Sequence, residues 1–260
     1  MTREFVNYSL QHQIAVVVID NPPMNALTDK TREDLESVFY ELNSNIENVA
    51  VVIVTGSGEK AFVAGADIKV FPALYPENAK PRLRKNKERF LLIENFERPT
   101  ICGINGFCLG GGLELAMCCD IRIAAVHAKL GLPEINLGII PGTGGTQRLT
   151  RLVGEGIAKE LIYTGRHISA EEAKDIGLVN KVVKKEQLLD AAKDMASLIA
   201  TKPPLALRSA KETIHQGADM TLQQGLDLEI EKWSYLCSTE DQKEGAAAFI
   251  EKRKPVFKGI

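Results

Sequence analysis

The stretch GFCLGGGLELAMCCDIRIA, residues 106–124, decides the fold because it joins three consecutive glycines to an apolar run containing one acid, Glu114. From Leu113 to Cys119 the other side chains are apolar or thiols, so a helix here is expected to be buried on nearly every side. A buried carboxylate without a partner is unfavourable or takes up a proton. We therefore expect Glu114 either to face a cavity that uses it or to be a favourable charge in the first helical turn.

The composition is that of an ordinary globular enzyme. The chain has 260 residues, of which 45% are hydrophobic and 25% charged, with a net charge of −2. This charge balance disfavours nucleic acid and anionic membranes as partners. We find neither a signal or transit pattern at residues 1–13 nor an apolar run near the roughly 18 residues that span a bilayer, so we expect a cytoplasmic protein without a membrane partner.

One pattern recurs along the first two thirds of the chain. A short apolar run rich in valine and isoleucine ends in a Gly/Pro/Asn turn, and a segment with helical spacing follows. The four runs are IAVVVID (14–20), VAVVIVTG (49–56), TICGING (100–106) and LGLPEINLGIIPG (130–142). This alternation predicts an α/β fold with strands buried on both faces and ligands bound at the loops beyond the strand ends.

The pattern changes after about residue 165. ISAEEAKDIGLVNKVV (168–183) predicts a short helix capped by Ser169, a stop at Gly177 and a strand. From Lys185 onward the spacing predicts helices almost to the end. We therefore divide the chain into a core with the binding site, 1–185, and a helical C-terminal section, 186–260. The charged stretch 76–90 is expected to be a solvated loop or helix face.

The glycines suggest a site for a negatively charged oxygen. Neither GxGxxG nor GxxxxGK[ST] occurs, which disfavours dinucleotide and P-loop sites. Gly110–Gly112 stand where the helix should begin, and free N–H groups there can form half of an oxyanion hole. AFVAGADIK (61–69), with Asp67 suited to cap a helix, is the candidate for the other half, although it is also typical of an ordinary tight turn.

A second acid in an apolar setting, Glu134, follows Pro133 in KLGLPEINLG (129–138). Taken alone it is more typical of a surface loop. Two isolated acids beside glycine-rich turns of the same repeated unit suggest one pocket, where paired carboxylates can move protons on a carbonyl compound. The cysteines and histidines lack metal-ligand spacing, so we predict no metal site.

The sequence closely resembles the enoyl-CoA hydratase (crotonase) family over essentially its whole length. The resemblance rests on AFVAGADIK (61–69), GINGFCLGGGLELAMCCDIRIA (103–124), LGLPEINLGIIPGTGGTQRL (130–149) and EKRKPVFK (251–258). It implies a crotonase-like spiral of repeated ββα units, a helical C-terminal section used in trimerisation, and a trimer or a dimer of trimers. It further implies acyl-CoA thioester substrates, with coenzyme A as part of the substrate and no separate cofactor.

The resemblance also implies roles for individual residues. It implies that Glu114 and Glu134 are the catalytic pair and that the N–H groups of Ala66 and Gly111 hold the thioester oxygen. We predict syn addition of water to a trans-2-enoyl-CoA, with Glu114 activating the water and Glu134 protonating C2. The predicted substrate-binding residues are Ala64, Ala66, Asp67, Ile68, Lys69, Gly111 and Lys252, the last reaching the phosphates of coenzyme A from the C-terminal tail.

Other activities of the same fold remain open at this point. Both glutamates favour hydration, whereas isomerases of the family commonly rely on one. The alternatives are a methylglutaconyl-CoA hydratase, a Δ3,Δ2-enoyl-CoA isomerase and, from another class, an RNA-binding relative that would use the basic stretch 80–89. The net charge and the lack of aromatic residues within that stretch disfavour RNA.

Overall fold

The computed structural model describes residues 3–260, which form two β-sheets surrounded by helices. The strands are β1 (Val6–Gln11), β2 (Ile14–Ile19), β3 (Val51–Gly56), β4 (Ala61–Val63), β5 (Thr100–Ile104), β6 (Phe107–Leu109), β7 (Ile121–Ala125), β8 (Lys129–Gly131), β9 (Ile168–Ser169) and β10 (Lys181–Val183). The α-helices are α1 (Asp29–Ser44), α2 (Pro76–Glu94), α3 (Gly111–Ala116), α4 (Gly145–Val153), α5 (Glu155–Thr164), α6 (Ala170–Asp175), α7 (Leu188–Ala200), α8 (Pro204–Gly217), α9 (Leu222–Leu236) and α10 (Glu240–Ile250).

The larger sheet has six strands in the order β1-β2-β3-β5-β7-β10. Strand β1 is antiparallel to β2, and the remaining neighbours are parallel. The smaller sheet has the order β4-β6-β8-β9, with β4, β6 and β8 parallel and β9 antiparallel. Strands β3, β5 and β7 of the larger sheet are each followed by a three-residue strand of the smaller sheet, β4, β6 and β8 respectively, and then by a helix. This is the predicted ββα repeat.

The core lies on both faces of the larger sheet. On one face the strands pack with α1, α3 and the smaller sheet around large buried side chains such as Phe39, Phe62 and Phe90. On the other face Leu188, Ala192 and Ala196 of α7 pack against β3, β5 and β7. Strands covered on both faces can be apolar at every position, which explains their continuous Val/Ile runs.

Several local predictions are confirmed. The Ser169 side chain accepts a hydrogen bond from the N–H of Glu172 at the start of α6, and Gly177 after this helix has a positive φ of 80°. Asp67 accepts from the N–H of Lys69, capping a 3₁₀ helix over Ile68–Ala73. From α7 to α10 the C-terminal part is helical, as expected. The division of the chain at 185/186 stays a prediction.

The charged stretch 76–90 lies within α2, and most of its residues are exposed, as expected of a solvated helix face. Arg89 is buried and pairs with Glu36 and Glu33 of α1, and Arg82 pairs with Asp29. The acids on α1 therefore neutralise much of the charge that α2 presents. This arrangement explains why a strongly charged sequence packs as a helix against the core.

The helices α8, α9 and α10 leave large apolar side chains exposed. The indole of Trp233 is 70% exposed and the ring of Phe249 is 85% exposed, while Ile214, Leu222 and Ile230 are also exposed. Apolar surface of this extent on neighbouring helices is typical of an interaction surface.

Four of the five cysteines are buried. Burial raises the pKa of the Cys102 and Cys118 thiols well above the ordinary value, and it raises the pKa of the Cys108 thiol as well. Cys119 is also buried, and Cys237 at the end of α9 is partly exposed. The four buried cysteines therefore pack as small apolar side chains.

Candidate active site

The site lies where β4, β6 and β8 end. These three adjacent strands are parallel, so their carboxyl ends meet at one edge of the smaller sheet. Residues 64–67 follow β4, the glycines 110–112 follow β6, and Glu134 follows β8. The N–H of Gly110 donates to the carbonyl of Gly131 at 2.9 Å, which ties the second segment to the third. The fold thus gathers three separated motifs at one place.

Two glycines allow the backbone at the start of α3 to lie against its neighbours. Gly110 has φ 53° and ψ −125°, a conformation that side chains with a Cβ rarely adopt. A Cβ on Gly112 would lie 2.0 Å from the carbonyl oxygen of Val63 at the end of β4. Without side chains at these positions, the N-terminus of α3 can approach the segment that carries Ala66.

Leu27 contacts both of the segments that carry the N–H groups of Ala66 and Gly111. Leu27 forms an isolated parallel bridge with Ala66 and donates its N–H to the carbonyl of Gly65 at 2.9 Å. Its Cδ1 atom lies 3.3 Å from the position of a Cβ on Gly111. Within residues 3–260 neither of the two N–H groups donates a hydrogen bond inside the chain. They are therefore free to bind a ligand oxygen.

A buried arginine, Arg32, contacts the segment of Leu27, and no sequence pattern indicated this contact. Arg32 on α1 donates from Nη1 to the carbonyl oxygen of Leu27, and its Nε is buried without a partner. Burial lowers the pKa of Arg32 to about 10. This arginine holds the segment of Leu27, which contacts both Ala66 and the position of Gly111.

Glu114 is buried on α3, and three donors converge on its carboxylate. Its Oε1 accepts from the N–H of Thr143 at 2.7 Å and from the N–H of Gly145 at 2.8 Å, and its Oε2 accepts from the Thr143 hydroxyl at 2.7 Å. These donors come from the loop that leads into α4. These hydrogen bonds satisfy both oxygens of the buried carboxyl group, so the sequence problem posed by Glu114 is solved by a loop 29 to 31 residues away.

Glu134 has the opposite surroundings. It lies in the first turn of a 3₁₀ helix, Pro133–Leu137, and its Oε2 is buried without a hydrogen-bond partner. Burial raises the pKa of Glu134 to about 7, and the nearby charge of Glu114 acts in the same direction. A carboxyl group in this state holds a proton near neutral pH and can give it up.

The two carboxyl groups lie beside neighbouring glycines. A Cβ on Gly110 would lie 2.9 Å from Glu134 Oε1, and a Cβ on Gly111 would lie 3.9 Å from Glu114 Oε2. The structure therefore brings both glutamates to the glycine segment that also carries the free N–H of Gly111. Two carboxyl groups with such different surroundings, beside two free N–H donors, can take a proton at one point and deliver one at another.

An ion pair behind the site fixes the loop that holds Glu114. Arg148 on α4 makes two hydrogen bonds to Glu94 at the end of α2, at 2.8 and 2.5 Å, and donates to the carbonyl oxygen of Thr143 at 2.8 Å. Thr143 and Arg148 lie within the quoted motif 130–149, but nothing in their spacing indicated these contacts. Glu94 carried no sequence signal.

The other predicted binding residues are placed differently. Ala64 and Asp67 are partly buried in the segment after β4, whereas Ile68 and Lys69 are exposed at the start of the 3₁₀ helix. Lys252 is exposed in the turn after α10, with φ 54°, and its N–H donates to Phe249 in the same turn. The hydrogen bonds of Lys252 thus stay within its own turn, and its role remains a prediction.

Among the described residues, no group of three or more His, Cys, Asp or Glu side chains is arranged to hold a metal ion. No helix between residues 3 and 260 has both the length and the apolar character needed to cross a membrane.

The chain is similar to proteins of one family over its full length. The family described as Enoyl-CoA hydratase/isomerase matches residues 9–260. A protein named crotonyl-CoA hydratase from Syntrophomonas wolfei is 45% identical over 258 residues, which cover 99% of each chain. A short-chain-enoyl-CoA hydratase from Clostridium acetobutylicum is 47% identical over 93% of each chain. The crystal structure of an enoyl-CoA hydratase from Bacillus anthracis superposes with a TM-score of 0.94 at 42% identity, covering 99% of this chain and 100% of that one.

Proposed function

The chain belongs to the enoyl-CoA hydratase/isomerase family, and we propose that it adds water reversibly to trans-2-enoyl-CoA thioesters, giving 3-hydroxyacyl-CoA. It is an enzyme of the hydro-lyase class. The observation that supports the mechanism is the contrast between Glu114, with three hydrogen-bond donors, and Glu134, with a buried and unpartnered oxygen. The relatives named as hydratases favour this reaction over the isomerase, methylglutaconyl-CoA and RNA-binding alternatives.

The thioester carbonyl oxygen binds between the N–H groups of Ala66 and Gly111. Both groups are free of partners within the described chain, and both follow parallel strands of the smaller sheet. They stabilise the negative charge that the oxygen gains when a nucleophile adds at C3, an effect of about 3 kcal/mol per donor in other enzymes. The thioester itself accepts the electron pair, so the mechanism requires neither a metal ion nor an organic cofactor.

Water adds in two proton-coupled events. As the water oxygen bonds to C3, Glu114 accepts one of the water protons and the C2–C3 π electrons move toward the thioester oxygen. Glu134 then gives its proton to C2, and the thioester carbonyl re-forms. At this point Glu114 is protonated and Glu134 is ionised, so loss of a proton from Glu114 and gain of one by Glu134 restore the enzyme.

Short acyl chains are the proposed substrates. The support is the names of the two relatives that are 45% and 47% identical, crotonyl-CoA hydratase and short-chain-enoyl-CoA hydratase. The test follows the loss of enoyl-thioester absorbance with trans-2-enoyl-CoA esters of increasing chain length. We expect kcat/KM to be highest for crotonyl-CoA, and no turnover of any member of the series would contradict the proposed function.

The assembled enzyme is proposed to be a trimer or a dimer of trimers built through α8, α9 and α10. The exposed apolar side chains of these helices, among them Trp233 and Phe249, support an interface there. Sedimentation velocity tests this, and a monomer at micromolar concentration would contradict it. The cytoplasmic location and a place in β-oxidation of fatty acids are likewise predictions.

A further inference from the structure

Thr143 is a buried residue that no part of the mechanism above uses beyond support of Glu114. It is 6% exposed and lies in the loop between the 3₁₀ helix of Glu134 and α4. Its N–H donates to Glu114 Oε1 and its hydroxyl donates to Glu114 Oε2, each at 2.7 Å. One residue therefore binds both oxygens of the proposed base.

The surroundings of Thr143 fix its hydroxyl in place. Its carbonyl oxygen accepts from Arg148, and Arg148 is itself held by two hydrogen bonds to Glu94. The side chains of Arg148 and Glu94 are each 14% exposed, so this pair is shielded from most solvent. A loop anchored in this way presents the Thr143 hydroxyl in one orientation.

The two oxygens of Glu114 face different parts of the site. Oε1 lies 3.1 Å from the position of a Cβ on Gly145 and already accepts two backbone hydrogen bonds. Oε2 lies 3.9 Å from the position of a Cβ on Gly111, whose N–H is one of the two proposed oxyanion donors. Oε2 is thus the oxygen nearer to Gly111, which carries the proposed oxyanion donor, and the Thr143 hydroxyl is its hydrogen-bond donor.

A threonine hydroxyl that donates its hydrogen keeps two lone pairs with which it can accept. We propose that the Thr143 hydroxyl and Glu114 Oε2 together hold the water that adds to C3, with Thr143 as a positioning residue. This inference rests on the proposed hydratase function. The water donates one proton toward Glu114 Oε2 and hydrogen-bonds through the other to the Thr143 oxygen, which leaves a lone pair directed at C3. Thr143 forms and breaks no covalent bond.

The first experiment removes the hydroxyl while keeping the shape of the side chain. Thr143→Val is expected to lower kcat for hydration of crotonyl-CoA about 10- to 100-fold, the usual cost of losing a hydrogen bond to a charged group, with KM changed less than about twofold. Thr143→Ser, which restores the hydroxyl, should recover most of kcat. The matched control is Thr150→Val on α4, whose hydroxyl donates to the carbonyl of Thr146 in its own helix. It should keep kcat.

A second readout separates water positioning from general support of the site. Exchange of the C2 protons of butyryl-CoA in D₂O uses Glu134 and the oxyanion donors but adds no water at C3. Thr143→Val should keep this exchange within about threefold of the wild type, since proton transfer at C2 does not depend on the water site. Equal losses of hydration and exchange would assign Thr143 a structural role and overturn the proposal.

The remaining outcomes are also decisive. Unchanged hydration by Thr143→Val would overturn the proposal, whereas a wild-type enzyme without hydration of any enoyl-CoA would instead contradict the proposed function. Thermal unfolding is measured for every variant. If Thr143→Val does not fold, Thr143→Ala removes the same hydroxyl with a smaller side chain and is judged by the same two assays.

Discussion

Glu114 and Glu134 are the same residue type and follow two adjacent strands, β6 and β8, yet their surroundings are opposite. Three donors from the loop before α4 bind the carboxylate of Glu114, while one oxygen of Glu134 is buried without a donor. Burial raises the pKa of Glu134 to about 7. The comparison teaches that the supply of hydrogen-bond donors can give two residues of the same type opposite surroundings within one site, as the proposed roles of base and acid require.

The difference originates in the local backbone. Glu114 lies on a helix that faces a glycine-rich loop, and such a loop can turn two N–H groups toward one oxygen. Glu134 follows Pro133 in a short 3₁₀ helix, and its side chain turns toward Gly110, which presents no donor to Oε2. Variants that exchange carboxyl for amide test each half of this contrast separately.

Glu114→Gln is expected to have the largest effect. The amide oxygen can occupy the position of Oε1, but the NH₂ group then replaces the acceptor on the substrate side, so no base remains for the water. We expect kcat for crotonyl-CoA to fall about 10³- to 10⁴-fold. Steady-state kinetics, with butyryl-CoA affinity measured by calorimetry, checks this.

The control is Glu155→Gln, which makes the same chemical change at an exposed position on α5 and should leave kcat unaltered. Near wild-type turnover by Glu114→Gln would remove Glu114 from the role of base. A large loss of butyryl-CoA affinity would show that Glu114 instead supports the pocket.

Glu134→Gln is expected to have a smaller effect on turnover, about 10²-fold. The enolate formed by water addition is already stabilised by two N–H groups, so slow protonation by solvent can replace the missing acid. Exchange of the C2 protons of butyryl-CoA in D₂O should fall at least as much as hydration. If exchange persisted at the wild-type rate, another group would be the C2 acid.

The raised pKa of Glu134 also predicts how the stability of the fold changes with pH. A carboxyl group whose pKa is higher in the folded protein than in the unfolded chain stabilises the fold when protonated. Its contribution is therefore lost as pH rises from about 4.5 to about 7. Thermal unfolding should thus give Glu134→Gln a higher Tm than the wild type at pH 8 and a similar Tm at pH 4. An identical pH dependence of the two proteins would mean that burial does not perturb Glu134.

Lys252→Ala is expected to have the smallest effect, because it lies outside the contrast between the two glutamates. If Lys252 contacts the phosphates of coenzyme A, its loss raises KM for crotonyl-CoA several-fold with little change in kcat, and the effect weakens at high salt. A crotonyl-pantetheine thioester lacks the nucleotide and should show no change in KM. Equal losses on both substrates would assign the tail to folding or assembly.

The α/β fold could be predicted from the sequence because several of its long strands are clearly marked by their composition. Continuous Val/Ile runs ending in turns predicted β2, β3 and β5, and the resemblance supplied the ββα spiral. The strands of the smaller sheet have two or three residues each, too short for any periodic pattern to appear, as in Ala61–Val63 and Phe107–Leu109. Yet these short strands align the segments that form the site.

The candidate site was accessible only in part. Isolated acids in apolar runs indicated Glu114 and Glu134, and glycine-rich turns before helices indicated the segments 61–69 and 110–112. The family resemblance then implied Ala66 and Gly111 within those segments. Arg32 and Glu94 were missed because their importance comes from single contacts. Arg32 contacts Leu27, 5 residues away, and Glu94 contacts Arg148, 54 residues away, and neither spacing belongs to a periodic pattern. Such contacts depend on tertiary packing and leave no local pattern.

The buried cysteines give the molecule an internal reporter of its own opening. Thiolates react with alkylating reagents, and burial with a raised pKa keeps Cys102, Cys108 and Cys118 from forming them in the folded state. Cys118 follows α3 directly, and its Sγ donates to the carbonyl of Glu114 at 3.2 Å. The rate at which an alkylating reagent labels this thiol therefore measures how often the helix carrying the proposed base unfolds locally, in the native enzyme and without an engineered label.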